Sequence, residues 1–237
     1  MDQANNSFSV VRILGDYLAL ADDPLFPAAA VRIGSMDVDR FRDLPCVQKL
    51  GPKSVVIDVG AFIGDTALVF LERGATVYAF EPAFDSFVCL QWNLFPYLKA
   101  PESDRRAFIY NKPVGDGRRC VPIPPASDPL ALTNPGARRQ RITDDPQCGA
   151  QTCTIDSMEF NRLDFVKIDC EGFEPFVLDG MRDTIKKHRP VLCVEINEPC
   201  LAQNGFTIQM MIGKLIGLGY HPVLRDPNSR DWICHPG

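Results

Sequence analysis

Several acids in this chain follow directly on apolar, β-branched runs. Asp58 comes late in SVVIDVG, Glu81 follows VYAF, Asp169 and Glu171 follow FVKI, and Glu195 ends VLCVE. Carboxylates so placed can take a proton from a hydroxyl, accept hydrogen bonds from vicinal diols or ligate a hard cation. The first run leads into Gly60-Ala61-Phe62-Ile63-Gly64, with Asp65 and Thr66 behind it. Two glycines at that spacing allow a tight turn that brings backbone N–H groups close to a ligand. The pattern is Gly-x-x-x-Gly, which is neither the Gly-x-Gly-x-x-Gly dinucleotide fingerprint nor a phosphate loop ending in Gly-Lys-Ser/Thr. Polyphosphate is therefore a poor candidate ligand.

Asp58 and Asp65 would repel a pyrophosphate but attract a molecule carrying an ammonium and a sulfonium. Glu81 lies 23 residues beyond Asp58, where a carboxylate can hold the two hydroxyls of a ribose. A ribose without a diphosphate, next to positive charge, describes S-adenosylmethionine. The expected cofactor contacts are Asp58, Gly60, Ala61, Phe62, Gly64, Asp65, Thr66, Glu81, Pro82, Asn111 and Asp169. Asn111 would reach the adenine edge, although asparagine at a strand end also serves as a turn former.

For such a sulfonium donor, transfer of the methyl group is an in-line displacement, which requires an aligned acceptor and removal of its proton. Asp169, Glu171 and Glu195 are the expected catalytic residues: Asp169 orients the methionine part or the acceptor, and Glu171 or Glu195 takes the proton. Lys167, two residues before Asp169 on the same strand face, is expected to pair with it from behind. The alternative for the three acids is a divalent cation such as magnesium, with Asn197 as a further oxygen ligand; no metal site is assigned. His221 and His235 read as edge histidines of a terminal hairpin, and Trp92 and Trp232 as core or lid contacts.

The elements that must position these residues follow from periodicity. SVVIDVG reads as a strand buried on both faces, GDTALVFLERG as a helix ending at Gly74, ATVYAFEP as a second strand and AFDSFVCLQWNLF as a second helix. A third strand falls in RRAFIYNKPVG, a fourth in LDFVKID and a fifth in PVLCVEIN. FEPFVLDGMRDTIKKH is expected as one helix burying Phe176, Val177, Met181 and Ile185, and TIQMMIGKLIGLG as another. YHPVLRD and DWICHPG, joined by a PNSR turn, suggest a closing hairpin with an antiparallel strand. Strand–helix alternation predicts an α/β sheet with right-handed crossovers. MDVDRFRDLPCVQKL reads as a helix stopped by Gly51 and Pro52.

The chain has 237 residues, 46% of them apolar and 23% charged, as in a soluble globular protein. One domain spanning 1–237 is expected, with residues 1–50 as an extension or lid and 117–151 as an Arg/Pro-rich insertion. Its 25 basic residues against 30 acidic ones leave a charge of -5, so no global field favours nucleic acid. The insertion carries Arg118, Arg119, Arg138, Arg139 and Arg141 against Asp128, Asp144 and Asp145, a charge balance that could steer an anionic acceptor. Nine cysteines without a Cys-x-x-Cys pair fit reduced thiols in a cytoplasmic compartment. The amino terminus lacks the pattern of a secretory signal, and no apolar run approaches membrane length.

The segments VVIDVGAFIGDTALVF, VYAFEPAFDSFVCLQWNL, and TIDSMEFNRLDFVKIDCEGFEPFVLDGM with RPVLCVEIN resemble the FkbM family of class I S-adenosylmethionine-dependent methyltransferases. The resemblance runs from about Ser54 to Asn197. It implies a Rossmann-like, doubly wound, mostly parallel seven-stranded sheet with a C-terminal antiparallel hairpin. It also implies the cofactor over the glycine turn and Glu81, and methyl transfer to a hydroxyl of a sugar, glycan or other small molecule. The Arg-rich insertion is longer than the family pattern and leaves the acceptor open, with RNA or protein as alternatives. A nicotinamide-dependent oxidoreductase and an inactive binding module of the same fold are the competing functions.

Overall fold

The computed structural model describes residues 10–13, 17–20, 41–121 and 149–237. Ahead of the main sheet, β1 (Val10–Ile13) and β2 (Tyr17–Leu20) pair antiparallel, in a region where the sequence shows no clear period. Of the helix expected over 36–50, residues 36–40 lie outside the described residues, and a turn at 43–44 ahead of Pro45 breaks the rest; the short helix α1 (Pro45–Gln48) ends before Gly51 and Pro52. Most of the expected extension or lid, and most of the Arg/Pro insertion including Arg138, Arg139 and Arg141, lie outside the described residues.

The α/β repeat then follows in chain order: β3 (Val55–Val59), α2 (Asp65–Glu72), β4 (Thr76–Phe80), α3 (Phe84–Asn93), α4 (Phe95–Leu98) and β5 (Ala107–Tyr110). A two-stranded ladder of β6 (Cys120–Val121) and β7 (Ala150–Gln151) closes the base of the insertion. Next come β8 (Phe165–Ile168), α5 (Glu174–Asp179), α6 (Arg182–His188), β9 (Val191–Glu195), α7 (Glu198–Ala202), α8 (Ile208–Gly217), β10 (Tyr220–Leu224) and β11 (Asp231–Pro236).

Seven strands form one sheet in the order β10-β11-β9-β8-β3-β4-β5. The five from β5 to β9 run parallel; β11 is antiparallel to both β9 and β10. The chain winds outward from β3 to β5, returns to β8, and winds the other way, so the order reverses between β3 and β8. Loops at the carboxyl ends of strands part at such a reversal, and ligands of open α/β sheets bind there.

Both faces of the sheet are covered, which explains why β3, β8 and β9 read as continuous apolar runs. On one face Ile57, Val59, Val166, Ile168, Leu192 and Val194 pack with Phe176, Ile185 and Leu215. On the other, Val56, Val77, Ala79 and Phe165 pack with Val69, Phe70 and Leu90. Two polar residues interrupt this second face: Asp58 and Lys167, direct neighbours in the β3–β8 register.

The helix expected over 173–188 is broken into α5 and α6 at Gly180. Asp156, from the loop before β8, accepts hydrogen bonds from the amides of Asp183 and Thr184 and so supplies α6 with a new N-terminus. Gly180 lies so close to the Gly115 carbonyl that a Cβ would sit 1.7 Å from its oxygen. Trp92 is 62% exposed and so is not a core residue; the outward face of α3 that carries it also holds Phe84 and Val88. Eight cysteines among the described residues are free thiols. No helix among those residues is long and apolar enough to cross a membrane.

Gly180→Ala is expected to destabilise the protein by about 2–3 kcal/mol, because neither backbone can retreat without disturbing the α5–α6 break. Urea unfolding monitored by circular dichroism measures this; an unchanged midpoint would contradict the packing.

Candidate active site

Gly60, directly after β3, and Asp169, directly after β8, meet at the reversal of strand order. A Cβ on Gly60 would lie 1.7 Å from the Asp169 carbonyl oxygen, and its φ of +79° suits only glycine. The glycine turn and the acid cluster are thus joined without intervening side chains.

Beneath the turn, Asp58 is fully buried and accepts a hydrogen bond from the Thr66 hydroxyl at 2.8 Å. Lys167 Nζ stands 3.7 Å from the other Asp58 oxygen, 3.1 Å from Asp169 Oδ2 and 3.5 Å from the Gly60 carbonyl. The expected Lys167–Asp169 pair is therefore present, with Asp58 as a third member. Burial works against the Lys167 charge, yet Asp169, Asp58 and Asp65 outweigh it and hold the ammonium well above its ordinary range. Burial likewise pushes the Asp58 carboxyl up, opposed by Lys167 and Thr66.

The turn amides do not behave as expected. Those of Gly60 and Ala61 bond the Phe80 carbonyl, that of Gly64 bonds the Ala61 carbonyl, and that of Phe62 bonds Glu81 Oε2 at 2.9 Å. They are spent inside the fold, so the turn does not offer these groups to a phosphate. Phe62 adopts φ +50° to make its contact, a left-handed conformation that non-glycine residues rarely take. Glu81 receives a second amide, from Ala83, on Oε1 at 2.8 Å, so its carboxylate is fixed in position beside the turn. The Asn111 amide donates to the carbonyls of Glu81 and Pro82, bracing the same loop. Asp65 opens α2, with Gly64 left-handed before it.

Asp169, Glu171 and Glu195 offer carboxylate oxygens that all lie within 4.8 Å of one another. The three candidates for catalysis converge, as their places at the ends of β8 and β9 require. Glu171 stands at φ +52°, followed by Gly172 at φ +103°, and accepts the Cys200 thiol at 3.1 Å. Among the described residues, Glu195 Oε2 is buried without a hydrogen-bond partner. Burial, reinforced by Asp169, Glu171 and Glu174, pushes its pKa up to about 10. This environment favours the protonated form of Glu195, in which its carboxyl would donate a hydrogen bond within the cluster.

Sequence reasoning overlooked Glu174. Its buried carboxylate accepts the amides of Cys170 and Gly172 at 3.0 and 3.1 Å. The signal was present in Glu171-Gly172-Phe173-Glu174, where an acid opening a helix can fold back on the preceding turn. Asn197 caps the start of α7, where its carbonyl accepts the amides of Cys200 and Leu201. Arg119 is committed to Asp116 and stacks over Phe176, with its guanidinium carbon 4.4 Å from the ring centroid. It therefore does not extend from the insertion toward an acceptor.

A Rossmann-like sheet of this strand order, with its carboxyl-end site at the reversal, defines a methyltransferase architecture. The methyltransferase FkbM domain model matches residues 58–222, and the chain belongs to that family. It is similar to a solved FkbM methyltransferase from Methylobacillus flagellatus KT, with 15% identity and a TM-score of 0.55 over 89% of this chain and 54% of the other. It is also similar to an O-methyltransferase family protein from Burkholderia thailandensis, with 13% identity and a TM-score of 0.52 over 90% of this chain and 58% of the other. The chain spans just over half the length of these two structures. A search of the curated proteins finds no match.

Glu195 also links the site to stability. Its folded pKa lies above the ordinary 4.5, so the folded state binds the extra proton, and stability falls as pH rises toward 10. Glu195→Gln, which carries no such proton, is expected to flatten the decline in unfolding free energy between pH 7 and 9. Denaturant titrations across that range check it; parallel curves for the two proteins would refute the assignment.

Proposed function

We propose that the chain transfers a methyl group from S-adenosylmethionine to a hydroxyl of a sugar, glycan or other small molecule. The observation that carries this reading is the charge balance where the turn meets the acid cluster. Asp169, Glu171 and Glu195 converge beside Lys167, and the turn amides of Gly60, Ala61, Phe62 and Gly64 are already bonded within the fold. Such a donor set fits an ammonium and a sulfonium and disfavours a pyrophosphate. The Gly-x-x-x-Gly spacing also counts against a nicotinamide dinucleotide, whose fingerprint is Gly-x-Gly-x-x-Gly.

When bound, the cofactor supplies a carbon already activated for displacement. The protein's share is positioning and proton management. Glu81, held by two amides, keeps further lone pairs for ribose hydroxyls. Asp169, anchored by Lys167, orients the methionine part or the acceptor. Glu171 takes the acceptor's proton, while Glu195 donates a hydrogen bond to align it; a positive charge beside Glu195 favours its ionised form and would let it serve as base in turn. The close approach of the three carboxylates also favours a second reading, assistance by a divalent cation such as magnesium.

Calorimetry with S-adenosylmethionine, S-adenosylhomocysteine and NAD tests the cofactor. Binding of both adenosyl ligands is expected, with at least tenfold weaker affinity in Glu81→Ala; binding of NAD alone would overturn the proposal. At pH 8, S-adenosylmethionine is expected to release more protons than S-adenosylhomocysteine, read from the dependence of binding heat on buffer ionisation. The acceptor is sought with labelled methyl donor against sugars, glycans, RNA and protein, with and without chelator. Turnover lost in Glu171→Gln with cofactor affinity preserved identifies the base, and full turnover would exclude it.

A further inference from the structure

We propose that Glu174 is a positioning residue: its buried carboxylate clamps the Cys170–Gly172 turn and thereby fixes the Glu171 carboxylate against Asp169 and Glu195. Its bearing on catalysis rests on the reading above that Glu171 and Glu195 meet the acceptor; the clamp itself does not.

The turn needs a clamp because its conformation is costly. Glu171 at φ +52° is a non-glycine residue in the left-handed region, and Gly172 at φ +103° continues the distortion. A residue held so persists only when its surroundings over-determine it. Here three elements do so. From α5, Glu174 Oε1 accepts the Cys170 and Gly172 amides, and Oε2 lies 3.1 Å from the Gly172 amide as well. Near α7, Asn204 donates to the Gly172 carbonyl at 3.0 Å, and Cys200 donates its thiol to Glu171. Gly172 packs so tightly on α7 that a Cβ would meet the Cys200 carbonyl oxygen at 2.3 Å. From β8, Asp169 bonds the Val59 carbonyl through its amide.

Within this arrangement Glu174 is the sole charged member that touches only backbone of the turn. It is 1% exposed and is bonded to amides that flank Glu171 on both sides. Its carboxylate cannot meet the acceptor directly, because it lies beneath the turn. Burial is the largest cause of its rise to about 7, and the amides of Gly172 and Cys170 oppose that rise by favouring the ionised form. The clamp and the charge are therefore separable: an amide side chain could keep the first without the second.

Glu174→Gln and Glu174→Met make that separation. Both remove the charge and roughly keep the volume, but only glutamine retains an oxygen that can accept the Cys170 and Gly172 amides. The full chain carrying isotope-labelled glutamate is followed by carboxyl NMR at fixed pH, and amide exchange is followed at Cys170 and Gly172. If Glu174 fixes Glu171, the Cys170 amide stays protected in Glu174→Gln and exchanges at least about tenfold faster in Glu174→Met. The Glu171 carboxyl resonance then keeps its position in Glu174→Gln and moves in Glu174→Met, because only the second variant frees the turn. Equal exchange and equal Glu171 shifts in the two variants would mean that Glu174 acts as a bare charge and would overturn the proposal. So would rapid exchange of both amides in the unmodified protein, a measurement that needs no variant to fold. Neither readout involves a methyl donor or acceptor. Failure here leaves methyl transfer standing, and failure to bind S-adenosylhomocysteine leaves the clamp standing.

Discussion

The ammonium of Lys167, buried at the point where strand order reverses, is the constraint on which the site depends. It faces Asp58 across the β3–β8 register, reaches Asp169 on its own strand and contacts the carbonyl of Gly60. One side chain thereby ties the glycine turn to the acid cluster from inside the core. A buried ion pair gains little net stability over an apolar replacement, because desolvation offsets the attraction, but removal of one partner leaves a costly uncompensated charge. Lys167 is therefore better understood as a device for register and position. It fixes which residue of β8 stands beside which residue of β3, and so where the ends of both strands fall.

From that position the chemistry of the turn follows. Phosphate loops and dinucleotide folds expose amides at a helix N-terminus. Here Gly60 and Ala61 lean back onto Phe80, and Phe62 is drawn sideways to Glu81. These turn amides become part of the scaffold. Glu81 holds the turn in that conformation by capturing the Phe62 and Ala83 amides on separate oxygens.

Much of this was legible in the sequence. Strands buried on both faces announce themselves as continuous β-branched runs, and acids at their ends stand out against them, so β3, β4, β8 and β9 and the convergence of Asp169, Glu171 and Glu195 could be read directly. The glycine turn and Glu81 were located for the same reason. What could not be read depends on contacts distant in sequence. The break between α5 and α6 is imposed by Asp156 and by the approach of Gly115, neither of which alters the helical period of 173–188. The core position open to Trp92 is taken by Leu90 and Leu94, which fill the inward face of α3. The destination of the turn amides was invisible because backbone hydrogen bonds leave no trace in side-chain pattern. Glu174 was missed because its partners are amides rather than another side chain.

Three acids whose carboxylate oxygens lie within 4.8 Å of one another, with a fourth buried nearby, make a poor solution to folding. Lys167 offsets Asp169, while burial and the neighbouring acids push the Glu195 carboxyl up. A chain under selection for stability alone would place an amide or an apolar residue at the end of β9, at no cost to the strand. The frustration is localised where two loops meet, and the rest of the sheet ends obey ordinary packing. Electrostatic strain of this kind is relieved by an arriving cation, and clusters of strained titratable groups mark functional sites more often than structural ones. The same strain requires that the carboxylates be unable to swing apart. That explains why the turn carrying Glu171 is held by Glu174 and Asn204, the strand before it by Lys167, and Glu171 itself by Cys200.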